Sequence, residues 1–117
     1  MEFSVEFYET DEGRSPVQEF LDELKRTDSG DFAAVLSGLA KLRLRSNHRE
    51  PLSKALGDGL LELRHVGKLN TRVLWFFAKG RRIVLVHGIR NKGQKIAARD
   101  IAIARARMKD WTRRKQK

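Results

Sequence analysis

Residues 60–89, LLELRHVGKLNTRVLWFFAKGRRIVLVHGI, decide the fold. Three apolar runs, Leu60–Arg64, Thr71–Ala78 and Arg82–Ile89, follow one another closely, and the last two are rich in β-branched and aromatic residues, the composition of strands. Lys79-Gly80-Arg81 leaves room only for a tight hairpin between the last two. Strands joined this closely pair antiparallel, because a parallel pair needs a long crossover.

The flanking segments supply the rest of the architecture. EFSVEFY (residues 2–8) alternates polar and apolar, with Phe3, Val5 and Phe7 on one face of a half-buried strand. Ser15-Pro16-Val17-Gln18 opens a helix. Serine suits the cap, proline the first helical position, and Gln18 completes a capping box. Asp31 caps a second helix, whose Phe32, Val35, Leu36, Leu39 and Leu42 recur every three or four residues. Lys41, Arg43 and Arg45 at its far end complement the helix dipole. RSNHREPLSKALGDG (residues 45–59) reads as a connector with at most one short turn around residues 52–56, punctuated by Pro51 and the Asp58-Gly59 pair. Ile101, Ala104, Met108 and Trp111 mark a last helix over Arg99–Trp111, followed by the basic tail TRRKQK (residues 112–117). The order β-α-α-β-β-β-α reads as one α+β domain over residues 1–117, with helices packed on one face of a small twisted antiparallel sheet.

Composition narrows the chemistry. The chain of 117 residues has no cysteine, which excludes disulfides, iron–sulfur clusters and thiol nucleophiles. Its three histidines are scattered and no carboxylates cluster with them, so neither a metal nor another cofactor is expected. His48 and His65 read as surface residues. No apolar stretch is long enough to span a bilayer, and the acidic, alternating N-terminus is unlike a signal peptide, which fits a reducing cytoplasm. The net charge of +10 is unevenly placed: residues 1–31 hold ten acids and three bases, whereas residues 32–117 hold five acids and 22 bases. A segment with a net charge of +17 points to a polyanionic partner, nucleic acid foremost.

A cationic stretch, HGIRNKGQK (residues 87–95), ends an apolar strand and carries no carboxylate. It reads either as a solvated turn or as one wall of an anion site. Gly88 and Gly93 favour the second reading, since they leave the backbone open to a close approach. So does Arg72, which stands among bulky apolar residues with no acid near it in sequence. Converging cations of this kind stabilise the charge that develops in phosphoryl chemistry. Arginine grips phosphate oxygens with a fixed fork, and lysine can release a proton. His87, with an ordinary pKa of roughly 6.5, is equally readable as a proton carrier or as a structural residue. Arg64 shares a strand face with Glu62, its nearest ion-pair partner.

In Leu61-Glu62-Leu63-Arg64, Thr71-Arg72-Val73-Leu74-Trp75-Phe76-Phe77, Ile83-Val84-Leu85-Val86-His87-Gly88-Ile89, the basic loop and the Ala/Arg-rich last helix, the chain resembles the RelE/ParE toxin superfamily. The likeness is greatest to its phage-derived, HigB-like branch, and it covers nearly the whole chain. It implies a RelE-like fold and a bacterial type II toxin held silent by a cognate helix-turn-helix antitoxin. It also implies an mRNA interferase that works on the ribosome without metal, the ribose 2′-hydroxyl attacking the adjacent phosphate. Arg72 matches the strand arginine of the superfamily, and Arg90, Lys92 and Lys95 fall where its post-strand basic residues lie. These four, with His87, are the catalytic candidates; Arg64, Lys68 and Arg99 are candidate RNA contacts. Two departures stand out. The loop pattern H-G-F-x-K-K-x-x-K-T-P is broken at Ile89, Asn91 and Ala97, and Glu62 and Arg64 stand where some RelE members place lysines. Two other functions stay open on the same fold: a ParE-like inhibitor of DNA gyrase, and a non-catalytic module that binds nucleic acid or an antitoxin.

Overall fold

The computed structural model describes residues 2–64, 71–90 and 95–115. Strand β1 (Ser4–Phe7) leads into helices α1 (Pro16–Thr27) and α2 (Ser29–Lys41) and a 3-10 turn at Arg45–Asn47. Strands β2 (Ser53–Gly57), β3 (Leu60–Leu63), β4 (Arg72–Ala78) and β5 (Arg82–Ile89) follow, and helix α3 (Ala98–Lys115) closes the chain. The five strands lie in the order β1-β5-β4-β3-β2. The class is α+β, as the sequence implies, but three features differ from the expectation.

First, the sheet is mixed. β1 runs parallel to β5, with Ser4 opposite Arg82 and Phe7 opposite Leu85, while every other pairing is antiparallel. The two helices after β1 provide the crossover that a parallel neighbour needs.

Second, the helices cover both faces. Val73, Trp75, Ile83 and Leu85 pack with Val17, Leu21, Val35 and Leu39 of α1 and α2. Their strand neighbours Leu74, Phe76, Val84 and Val86 pack with Ala104 and Trp111 of α3. Unbroken burial from Arg72 to Phe76 requires a cover on each side of β4, since consecutive strand residues point in opposite directions.

Third, the connector contains a strand. Gly57 pairs with Leu60 across the two-residue loop Asp58-Gly59, and both loop residues have positive φ (54° and 87°). That is the Asp-Gly hairpin turn. β2 is an exposed edge with little alternation, which hid it.

The caps also shift. Asp28, not Asp31, caps α2 by accepting from the Asp31 N–H at 3.0 Å. Asp31 lies in the first turn with its carboxyl buried. Ser15 makes no side-chain cap bond, and Gln18 donates to Asp22 rather than closing a capping box. His48 is half-buried and held in place rather than a free surface side chain. It donates from Nε2 to the Leu42 carbonyl at 2.6 Å and stands edge-on to Phe3, with ring centroids 4.7 Å apart. His65 lies outside the described residues. Among those residues no helix is long and apolar enough to cross a membrane.

Candidate active site

Glu62 is the centre of the site, and pattern reading missed its importance. It sits in β3 opposite Leu74 of β4 on one side and Lys54 of β2 on the other. Strand alternation points it to the α3 side, where it is 3% exposed. Arg72 begins β4 on the same face, two residues before Leu74, and is 5% exposed. Its Nε lies 3.6 Å from Glu62 Oε2. Arg64 brings its Nε to 3.8 Å from Glu62 Oε1, while its Nη1 reaches Glu50 at 3.3 Å. The acid missing from the sequence neighbourhood of Arg72 is therefore supplied across the sheet.

Glu62, Arg64 and Arg72 line a cleft of about 300 Å³ together with Lys54, Leu56, Lys95, Ile96 and Ile101. Among the described residues, four cationic side chains thus share the cleft with a single carboxylate. Although Glu62 is within ion-pair range of both arginines, the Arg72 separation is too long for a hydrogen bond. Its Oε2 is buried and accepts none from the described residues. A buried carboxylate oxygen with an unused lone pair is costly in a purely structural ion pair. Beside a cleft, a carboxylate of this kind can accept a proton, and the surrounding cations can take up negative charge.

The expected convergence of cations is only partly found. Arg64, Arg72 and Lys95 meet at the cleft. Arg90 turns to α2, where its Nη2 lies 2.9 Å from Asp28 and its Nε 3.5 Å from Asp31. Thr71 donates to the same Asp31 carboxylate at 2.6 Å. Arg90 therefore ties the end of β5 to the start of α2, and its charge is matched there by two carboxylates.

His87 is also engaged. Its Nε2 lies 2.8 Å from Asp100 Oδ1 and its Nδ1 3.1 Å from Arg107 Nη1. Arginine has no acceptor, so Arg107 donates to Nδ1, and Nε2 carries the proton that it donates to Asp100. The ring is held between β5 and α3, with Nε2 toward Asp100 and Nδ1 toward Arg107. Arg107 also donates to the Val86 carbonyl at 2.8 Å, and burial pulls its pKa below the usual arginine value.

Gly88 serves packing rather than ligand approach: a Cβ there would lie 2.4 Å from Phe20 Cδ2, so the ring of α1 requires the glycine. Arg99 is exposed in the first turn of α3. Lys68, Lys92 and Gly93 lie outside the described residues. Among the described residues no group of three or more His, Cys, Asp or Glu is placed to hold a metal ion.

Glu62 and Lys54 are the site residues that pattern reading missed. The signal for both was the Asp58-Gly59 turn, because the hairpin it closes sets Lys54 against Glu62.

A family model described as phage derived protein Gp49-like (DUF891) matches residues 19–109, a span that includes every residue lining the cleft. No curated protein matches the chain.

Proposed function

The chain belongs to the Gp49-like family of phage-derived proteins, within the RelE/ParE-like toxin superfamily, and on that premise we propose that it is a HigB-like mRNA interferase, the toxin of a type II toxin–antitoxin pair. The observation that carries this reading is the unsatisfied Glu62 Oε2, buried beside Arg72 and Arg64 in a cationic cleft.

In the proposed reaction, Glu62 takes the proton from the ribose 2′-hydroxyl as its oxygen attacks the adjacent phosphorus. Arg72, fixed on β4, holds the non-bridging oxygens with its planar fork, and Arg64 and Lys54 spread the remaining charge. The bond from phosphorus to the 5′-oxygen breaks, and a lysine ammonium, Lys95 or Lys92, supplies that oxygen with a proton. The products are a 2′,3′-cyclic phosphate and a free 5′-hydroxyl. Proton transfer by a positioned base contributes about 10²–10⁴-fold, and a preorganised charge stabiliser about 10²–10³-fold. Neither task requires metal. The partner that silences the toxin is a cognate antitoxin, a helix-turn-helix protein in this reading.

Cell-free translation tests the reading directly, with mRNA integrity followed by primer extension. The wild-type chain should cut mRNA only when ribosomes are present, leaving cyclic phosphate ends. Glu62→Gln should lower the cleavage rate by at least 100-fold, and Arg72→Lys should restore little of what Arg72→Gln removes. Gyrase-linked DNA breaks with intact mRNA would replace the interferase reading with the ParE-like one.

A further inference from the structure

A second basic surface lies at the other end of the sheet. Phe77 leaves β4 on the face opposite Arg72, and the five intervening steps along an extended strand span about 16 Å. Around it Phe3, His48, Arg45, Arg49 and Arg81 line an open groove of about 800 Å³. That volume is in the range of clefts that take a small organic ligand, roughly 300–1,000 Å³, so the groove is too roomy for a lone ion.

Three features give the groove a chemical character. Its floor is aromatic: the His48 and Phe77 rings stand 5.1 Å apart, with Phe3 at 4.7 Å from His48. Phe77 is 44% exposed, which is high for a phenylalanine in a strand with an otherwise buried centre. The floor is also rigid. His48 is fixed by its bond to the Leu42 carbonyl, and Phe77 is braced edge-on by buried Trp75 at 4.9 Å. The charged members of the lining are all guanidinium groups, and no carboxylate is among them. Arg81 already stacks its guanidinium over the Phe3 ring, 5.9 Å from the centroid, while Arg45 and Arg49 are exposed.

We propose that this groove binds single-stranded RNA, with a base stacked against Phe77 and His48 and the flanking phosphates held by Arg45, Arg49 and Arg81. A nucleotide strand presents flat apolar faces alternating with negative charge, and the groove offers exposed ring beside guanidinium forks. The site is separate from the Glu62 cleft and needs no cleavage there. It would grip RNA at a distance from the reacting bond, without reading sequence.

The test uses the purified full chain and a fluorescent decamer of 2′-O-methyladenosine, whose sugars cannot attack phosphate, so binding is scored apart from cleavage. Anisotropy is followed across salt concentrations. Replacing Arg45, Arg49 and Arg81 together with glutamine should flatten the plot of log affinity against log salt by about 2, at roughly 0.7 per phosphate contact. Phe77→Leu should weaken binding at least about fivefold at fixed salt, the low end of what one stacked base contributes. Should that variant fold poorly, Arg45→Glu with Arg49→Glu, both on exposed positions, must cut affinity at least tenfold. A 4-thiouridine decamer should cross-link to residues 45–49 or 77–81. Two results would overturn the proposal: a salt slope unchanged by the triple substitution, or a polyglutamate decamer that binds as tightly as the RNA, which would make the groove a contact for an acidic protein.

Discussion

At the scale of residues, the Glu62–Arg72 pair decides how any substitution at the site must be read. Both side chains are almost fully buried, so removing one leaves the other as an uncompensated charge. Breaking a buried pair costs roughly 3–5 kcal/mol, and the lower end applies here because Arg64 stays 3.8 Å from Glu62. Arg72→Ala should therefore lower stability, by about 3 kcal/mol, as well as remove activity. The double change Glu62→Gln with Arg72→Gln removes both charges and should recover most of that loss while staying inactive. Urea unfolding of the wild type, the two single variants and the double variant gives the coupling energy. Additive losses would mean that the two groups do not interact, and the cleft would lose its central contact. The stretch between β3 and β4 offers no acid beside Arg72. Its partner was legible only through strand register, a non-local property that a chain read residue by residue does not display.

At the scale of elements, the strands and helices with strong periodicity were legible and the weak edge was not. β4 and β5 stand close to where their apolar runs place them, and the hairpin at Lys79-Gly80-Arg81 joins Ala78 to Arg82 as expected. Both runs lack alternation, which signals cover on two faces rather than one. The last helix extends to Lys115, beyond the apolar stripe, because polar contacts hold its end. Asp110 accepts from Tyr8 Oη at 2.6 Å, from Arg113 at 2.7 Å and from Arg114 at 3.1 Å. The Tyr8 hydrogen bond, followed by those from the two arginines, draws the Asp110 carboxyl from the ordinary 3.8 down to about 2. A carboxyl lowered on folding contributes stability in full above its unfolded pKa and loses it as pH falls through the folded one. The contribution of Asp110 should therefore be complete above about pH 4 and disappear toward pH 2. In Asp110→Asn the urea midpoint, followed by circular dichroism, should be lower at pH 6 and should change less between pH 4 and 2 than in the wild type. Parallel pH profiles for the two proteins would remove Asp110 from this role.

At the scale of the whole molecule, the charge asymmetry that suggested a polyanionic partner has an internal use as well. Acids of the first 31 residues pair with arginines far away in the chain: Glu2 with Arg43, Glu6 with Arg82, Asp28 with Arg90 and Asp11 with Arg114. The net charge of +17 carried by residues 32–117 is thus offset in part by the fold itself. Basic side chains also gather at two surface features, the Glu62 cleft and the Phe77 groove. A protein that silences the proposed toxin should be captured by this remaining field, with apolar contacts setting how long it stays. Exposed charges are screened within about 8–10 Å at physiological salt, whereas packed apolar contacts are not. Raising sodium chloride from 50 to 500 mM should therefore slow association with the cognate antitoxin at least tenfold and alter dissociation by less than twofold, both read by stopped-flow fluorescence. Glu62→Gln, which makes the cleft more positive by one charge, should speed association at low salt and match the wild type at high salt. Association rates that ignore both salt and this substitution would mean that the antitoxin docks through apolar surface alone, away from the cleft, and that its silencing works by some means other than covering Glu62 and Arg72.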